Sequence, residues 1–389
     1  MKLVKTAIMI VLYCTISSAF AIDTMKPYPS FKTWIVYGNA DFASDLMQST
    51  FAINAAGTPY VAYQSDGGGG PLSVMTLKDG TWVPAGPADV SANIGTLSFA
   101  INASDSTAMP YVAFTPPGIF TPVTVDHFDG KNWNPVGANS LPMMTDGSGE
   151  ALGVNNQGTP YLFYGIVSSS PTFALSVLAF NGTVWGSVGN EIILSNGESP
   201  DGLSIAFDTQ ETPFVFYSYN NKLFVLKLIG NTWQQEGTNV PASTDCATNN
   251  CSFAVSPNGT PYIAYVAHVY AHPHVIRFNQ DTGKWEPLGQ LFPPTSKGSW
   301  VSGLSISISP QGVPYVAVSA QGDTRKKELF VKSFNAQNNQ WVSVANKNIS
   351  APEDQYETDV SLLFNPSNGN PCLSYINSSA NAMVKTLSQ

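Results

Sequence analysis

One six-residue phrase recurs seven times along this chain. Thr58-Pro59-Tyr60-Val61-Ala62-Tyr63 is echoed, with substitutions, around Pro110, Pro160, Pro213, Pro261, Pro314 and Pro371. The prolines stand about fifty residues apart, a period that belongs to propellers and other strand-built repeat folds. A chain bound to such a repeat cannot build one central core from unlike segments. Each repeat must be one supersecondary unit that buries its faces against its neighbours.

Every repeat reads as four strands. An apolar run such as Phe51-Ala52-Ile53 comes first, then a turn with glycine such as Ala56-Gly57, Gln157-Gly158 or Asn258-Gly259. Such dipeptides suit tight hairpins. The proline opens the second strand, where a missing N–H is tolerated. A third, alternating strand follows, as in Leu72-Ser73-Val74-Met75-Thr76-Leu77. Another tight turn (Asp79-Gly80, Asp129-Gly130, Asn181-Gly182) leads to a fourth strand bearing a tryptophan. Those tryptophans are Trp82, Trp133, Trp185, Trp233, Trp285 and Trp341. A large aromatic at a fixed strand position predicts packing between blades.

The last repeat stops after its third strand, near Met383–Leu387. The missing tryptophan strand is at the other end, in Lys32-Thr33-Trp34-Ile35-Val36-Tyr37-Gly38. Seven proline phrases and seven tryptophan strands match only in an all-β, seven-bladed β-propeller of four-stranded antiparallel blades. Its N-terminal strand completes the last blade and leaves no open edge. The expected organisation is a signal peptide at 1–21, a linker at 22–30 and the propeller at 31–389. The leader reading rests on Lys2 and Lys5, the apolar run from Ala7 to Tyr13, and Ser17-Ser18-Ala19-Phe20-Ala21. A basic start, a short apolar core and a small-x-small end are the marks of an export signal. The chain is therefore expected in the periplasm or outside the cell, as a monomer without membrane insertion. No later apolar run reaches spanning length.

Composition narrows the partners. Charged residues make up only 11% of the chain, and its formal net charge is −9. An acidic surface repels phosphate, so nucleic acid is excluded as a partner. Half of the 26 acidic residues fall in the connections between blades, among them Asp41, Asp45, Glu150, Asp201, Glu353, Asp354, Glu357 and Asp359. Such loops offer carboxylates for sugar hydroxyls or for glycoside chemistry.

The most local signal is in blade five. Three of the four histidines fall in one connection, His268-Val269-Tyr270-Ala271-His272-Pro273-His274. Imidazoles this close are compatible with a transition metal, although no cysteine or carboxylate follows at a zinc-site spacing. Trp300, the one tryptophan outside the repeat pattern, lies on the connection that leaves the same blade. Cys246 and Cys251 sit on the connection that enters it, close enough to form a disulfide after export. Trp300, His268, Tyr270, His272 and His274 are thus the expected ligand-binding residues, for a glycan or a protein partner.

With its apolar first strand, G-x-P-Y-[VI]-A-Y second strand and [DN]-G-x-x-W hairpin, the repeat resembles those of secreted bacterial β-propellers of the broad sialidase and kelch-like group. The resemblance covers nearly all of residues 31–388 and implies the fold, with the loop connections on one working side. WD and kelch signatures are absent, and the sialidase Asp-box survives only as fragments such as Asp281-Thr282-Gly283-Lys284-Trp285. Sialidases hold their substrate carboxylate with three arginines, and this chain has only Arg277 and Arg325. The copper oxidases built on kelch-like propellers carry an extra domain and a tyrosine–cysteine cross-link without counterpart here. No cofactor is expected: Gly67-Gly68-Gly69-Gly70 is followed by Pro71 rather than by a phosphate-binding helix. No nucleophile elbow is present either. The expected function is recognition through the loop face. The alternative is a glycan-active hydrolase or lyase using loop carboxylates.

Overall fold

The computed structural model describes residues 32–65, 70–118, 121–137, 141, 149–167, 173–194, 199–237, 240, 251–266, 273–291, 301–321, 327–345, 349 and 358–388. The expected signal peptide and linker lie outside the described residues.

The fold is a seven-bladed β-propeller. Blade one is an antiparallel meander of Gln48–Ile53, Pro59–Gln64, Leu72–Lys78 and Thr81–Pro84, and blades two to six repeat it. Blade seven takes three strands from the C-terminus, Thr358–Phe364, Pro371–Ile376 and Ala382–Leu387. Its outer strand is Trp34–Val36 from the N-terminal end. Trp34 pairs with Leu387 and Val36 with Lys385, and the Ser388 N–H donates to the Thr33 carbonyl at 2.8 Å. Ring closure by the N-terminal strand, expected from the two half-repeats, is therefore present. Each inner strand contacts the inner strand of the next blade, and that of blade seven contacts that of blade one.

The hydrophobic core is divided accordingly. Each of the seven blade-to-blade junctions has a cluster of its own. Phe214, Phe216, Phe253 and Ile263 fill the junction of blades four and five, for example, and Phe51, Val61, Cys372 and Val384 that of blades seven and one. Cys372, at the tyrosine position of the phrase, is fully buried, and burial pushes its thiol up to about 11. It is a packing residue.

The outer tryptophans explain how the blades are held in step. Trp82, Trp133, Trp185, Trp233, Trp285 and Trp341 each donate their indole N–H to a main-chain carbonyl of the preceding blade. The acceptors are Tyr37, Ala85, Val136, Val188, Glu236 and Leu288, at 2.7–3.0 Å. Each acceptor lies three residues beyond the preceding tryptophan. The next residue is glycine in all six cases. Gly189 shows why: its φ is 73°, and a Cβ there would stand 2.6 Å from the Trp233 Nε1 atom.

Among the described residues one blade departs from four strands. In blade three the outer strand Trp185–Ser187 covers only Leu178–Phe180, leaving the start of the third strand unpaired. The following connection fills that edge, with Ile192–Leu194 pairing Phe173–Leu175.

Candidate functional site at the mouth of the ring

A four-stranded meander sends its connections to opposite ends. The first-to-second and third-to-fourth turns emerge on one face, here called the turn face. The second-to-third connections and the links between blades emerge on the other, the loop face. Each inner strand therefore begins at the loop face, and its first residues ring the mouth of the axial channel.

The turn face is closed by its own side chains. A buried Asn, Asp or Ser stands at the end of each inner strand: Asn54, Asn102, Asn155, Asp208, Ser256, Ser309 and Asn365. Each accepts main-chain N–H groups of its own turn, as Asn155 Oδ1 does from Thr159 at 2.8 Å and Asp208 Oδ1 from Thr212 at 2.9 Å. Two of them also reach the next blade: Asn54 Nδ2 donates to the Ser106 and Ala108 carbonyls and Asn102 Nδ2 to the Asn156 carbonyl, while in blade four Thr209 Oγ1, beside the cap, donates to the Pro257 carbonyl.

At the mouth the polar groups are larger and more varied. In blade one, Gln48 Nε2 donates to Gln64 Oε1 at 2.8 Å, and Gln64 Nε2 reaches the Ile94 carbonyl at 2.8 Å. In blade two, Thr96 and Thr115 share a hydrogen bond of 2.8 Å. The Thr96 hydroxyl also lies 2.7 and 2.6 Å from the two oxygens of Glu150, the first residue of blade three. Glu150 is buried, and desolvation pushes its pKa up to about 7 even though the Thr96 hydrogen bond pulls it down. When Glu150 is ionised, the protons of this chain run from Thr115 to Thr96 to the carboxylate. When it is protonated, its own proton can point at Thr96 instead. The mouth thus holds a carboxyl group whose charge changes near neutrality.

Bulges re-aim the mouth in three other blades. The inner strands shift register between Asp201 and Ser204, Val301 and Gly303, and Thr358 and Ser361. All three lie at the loop-face end, and bulges recur at barrel rims and beside binding sites. Asp359, within the last of them, has a φ of 47° and accepts the Ser49 N–H of blade one at 2.8 Å.

Of the expected ligand-binding residues, His274 is described. Trp300, His268, Tyr270 and His272 lie outside the described residues, as do Glu353, Asp354 and Glu357. His274 is exposed at the loop-face end of the third strand of blade five. Its ring stacks on Tyr265 with centroids 5.4 Å apart and planes 23° from parallel. Tyr265 in turn pairs in register with Cys251 on the inner strand. Cys251 is disulfide-bonded, and Cys246 lies outside the described residues. A row of Cys251, Tyr265 and His274 thus crosses three strands at the mouth. Among the described residues no group of three or more His, Cys, Asp or Glu is arranged to hold a metal ion.

Sequence reasoning placed Glu150 among the loop acids without distinguishing it, and it passed over Gln64, Thr96 and Thr115. One signal was available. Glu150 is the only charged residue at the head of the apolar run Ala151-Leu152-Gly153-Val154, a position that the fold buries.

No protein-family model matches this sequence, and no curated protein matches it. Two solved structures with TM-scores above 0.5 share its fold. An oligogalacturonate lyase from Vibrio parahaemolyticus is 9% identical over 92% of this chain and 91% of its own, with a TM-score of 0.53. An oligogalacturonate lyase in complex with manganese is 11% identical over 92% of this chain and 96% of its own, with a TM-score of 0.52. A six-bladed fucose-binding lectin from Aleuria aurantia is 14% identical over 81% of this chain and 99% of its own, with a TM-score of 0.49. Among the described residues no helix is long and apolar enough to cross a membrane.

Proposed function

We propose that this chain is an exported recognition protein that engages a glycan or a protein partner through its loop face, at the blade-five edge of the mouth. The observation that carries the reading is the row Cys251, Tyr265 and His274. An exposed imidazole lies flat on a buried phenol ring, beside a disulfide-bonded cysteine. A flat aromatic surface with polar edges suits a sugar ring or a partner side chain. The connections that hold Cys246, the other histidines and Trp300 enter or leave these strands or the next inner strand. Export rests on the basic, apolar and small-residue pattern of residues 1–21.

The test is a glycan array with the purified protein, alongside affinity capture of partners, each repeated with Trp300→Ala and His274→Ala. If Trp300 is a contact residue, its truncation costs about 2 kcal/mol of binding and leaves the melting temperature in place. Unchanged affinity with a lowered melting temperature would make it a plug over a neighbouring blade and would move the contact surface away from blade five.

A second reading is a glycan-active hydrolase or lyase using loop-face carboxylates. Glu150 supports it, because a carboxyl group titrating near 7 is matched to acid–base work at neutral pH. The fold is also one that carries oligogalacturonate lyases. Incubation with oligogalacturonate and other acidic glycans separates the readings. Product release that Glu150→Gln abolishes would make the protein an enzyme, and binding without release makes it a lectin-like receptor.

A further inference from the structure

On the turn face, blade two departs from this closed character. There the capping residue Asn102 precedes Pro110 by eight positions, whereas in five other blades the separation is five. The added residues open a cavity of about 450 Å³ between this turn and the Asp129 turn. Its walls include Asn102, Asp105, Tyr111, His127, Asp129 and Gly158.

The inventory of this cavity is one-sided. Tyr111 and His127 stack against each other, with centroids 4.2 Å apart. The His127 ring donates to the Met109 carbonyl, and burial holds its pKa below the usual value, so near neutral pH its second nitrogen is an acceptor. Asp105 takes both of its hydrogen bonds from Thr107 on Oδ1. Asp129 accepts from the Lys131 and Asn132 N–H groups on Oδ1 and from Asn134 on Oδ2. These bonds hold both carboxyls below the usual range, so both stay ionised. No lysine or arginine is among the lining residues, although Lys131 stands on the Asp129 turn itself.

Two other blades set a cation against this aromatic, whereas Thr76, Ala179 and Ser333 face Tyr60, Tyr161 and Tyr315 in blades one, three and six. The residue after the repeat proline is Phe214 in blade four and Tyr262 in blade five. At the cross-strand partner position the chain itself supplies a cation. Lys227 Nζ stands 5.1 Å from the Phe214 ring centre, and Arg277 hydrogen-bonds the Tyr262 side chain. Blade two has Tyr111 at the same place, but a histidine opposite it, with two carboxylates and open space alongside. We propose that this cavity binds an organic cation, an ammonium or guanidinium group, held by the two carboxylates beside the Tyr111–His127 stack. The group could belong to a free amine or to a basic side chain of a peptide. This site is independent of the loop-face reading.

The test uses the whole protein and calorimetric titration with two probes, agmatine and an arginine-containing tripeptide amide, at low and at high salt. Saturable binding is expected, at least about tenfold weaker in Asp105→Asn/Asp129→Asn and weakened by salt. Both amides keep the turn-capping oxygen, and a cooperative melt confirms the fold. Tighter binding of the peptide assigns the site to a protein partner, and tighter binding of agmatine assigns it to a free amine. His127→Lys is the sharper variant. It places the cation in cis and is expected to abolish binding without lowering the melting temperature, while the loop-face variant His274→Ala leaves binding unchanged. Absence of saturable binding for both probes would overturn the proposal. So would binding that survives His127→Lys or the double amide variant at full strength.

Discussion

The two faces of this ring are made by the same strands and yet are built on different rules. On the turn face, the capping polar side chains are short and buried, and they are committed to main-chain groups of their own or the next turn. On the loop face, the mouth carries glutamines, threonines, a buried glutamate, a strained aspartate and an exposed histidine, in a different set in each blade. The difference shows where a repeat protein keeps its regularity. Turns that must join strands at one fixed distance converge on one solution, the buried Asx or Ser cap. Connections that only span a gap between blades are free to vary, and function gathers on such segments.

That contrast presupposes a closed ring, so the largest expected effect comes from opening it. Deleting residues 32–38 removes the outer strand of blade seven and leaves the Ala382–Leu387 edge unpaired. Loss of a single cooperative melt, with aggregation, is the expected outcome. A soluble deletion variant that melts as the parent does would show that blade seven is complete without it.

Next in size is the pH dependence set at the loop face. Glu150 has a folded pKa of about 7 against an ordinary value of 4.5. The folded state therefore keeps a proton that the unfolded chain releases in between. The stability it lends is full below pH 4.5, falls as pH rises toward 7 and stays lost above that. The fall amounts to about 3 kcal/mol at most. Glu150→Gln, which keeps the shape of the protonated acid, flattens this slope in thermal melts recorded from pH 4 to pH 8. An unaltered slope would place the titrating group elsewhere.

On the turn face the corresponding loss is smaller and independent of pH. Asn54→Ala removes the acceptor of the Thr58 N–H and the donor to the Ser106 and Ala108 carbonyls. Orphaning buried main-chain groups predicts a loss of about 2 kcal/mol by urea titration, with binding at the loop face unchanged. A substitution here that altered loop-face binding and left stability alone would erase the distinction between the faces. The smallest expected change in stability, within about 0.5 kcal/mol, is for His274→Ala, because the side chain is exposed. Its effect belongs in the binding assay instead.

Much of this molecule can be read without coordinates. The proline phrase, the glycine turns and the tryptophan hairpins are local patterns. Strand, turn and hairpin follow from the dihedral needs of neighbouring residues. Counting Trp34 against the truncated last repeat was enough to give seven blades and the closing strand. Packing between blades could be expected from the tryptophans, whereas the carbonyl that each indole binds could not. That acceptor lies about fifty residues back, and only ring geometry brings it near. The same reason hid Glu150. Its charge reads as a solvated loop acid until the inner strands of blades two and three close over it and Thr96 becomes a hydrogen-bonding neighbour of its carboxyl group. The turn caps, an Asn, Asp or Ser before each phrase, were passed over, and the reach of Asn54 and Asn102 into the next blade depends on ring geometry. Cys251, Tyr265 and His274 are separated along the chain and become one row only through strand register. Sequence therefore decided what each repeat is, because a repeat is held by contacts close along the chain. Tertiary structure decided what stands at the mouth and in the blade-two cavity, because those places are made by residues that meet only when the ring closes.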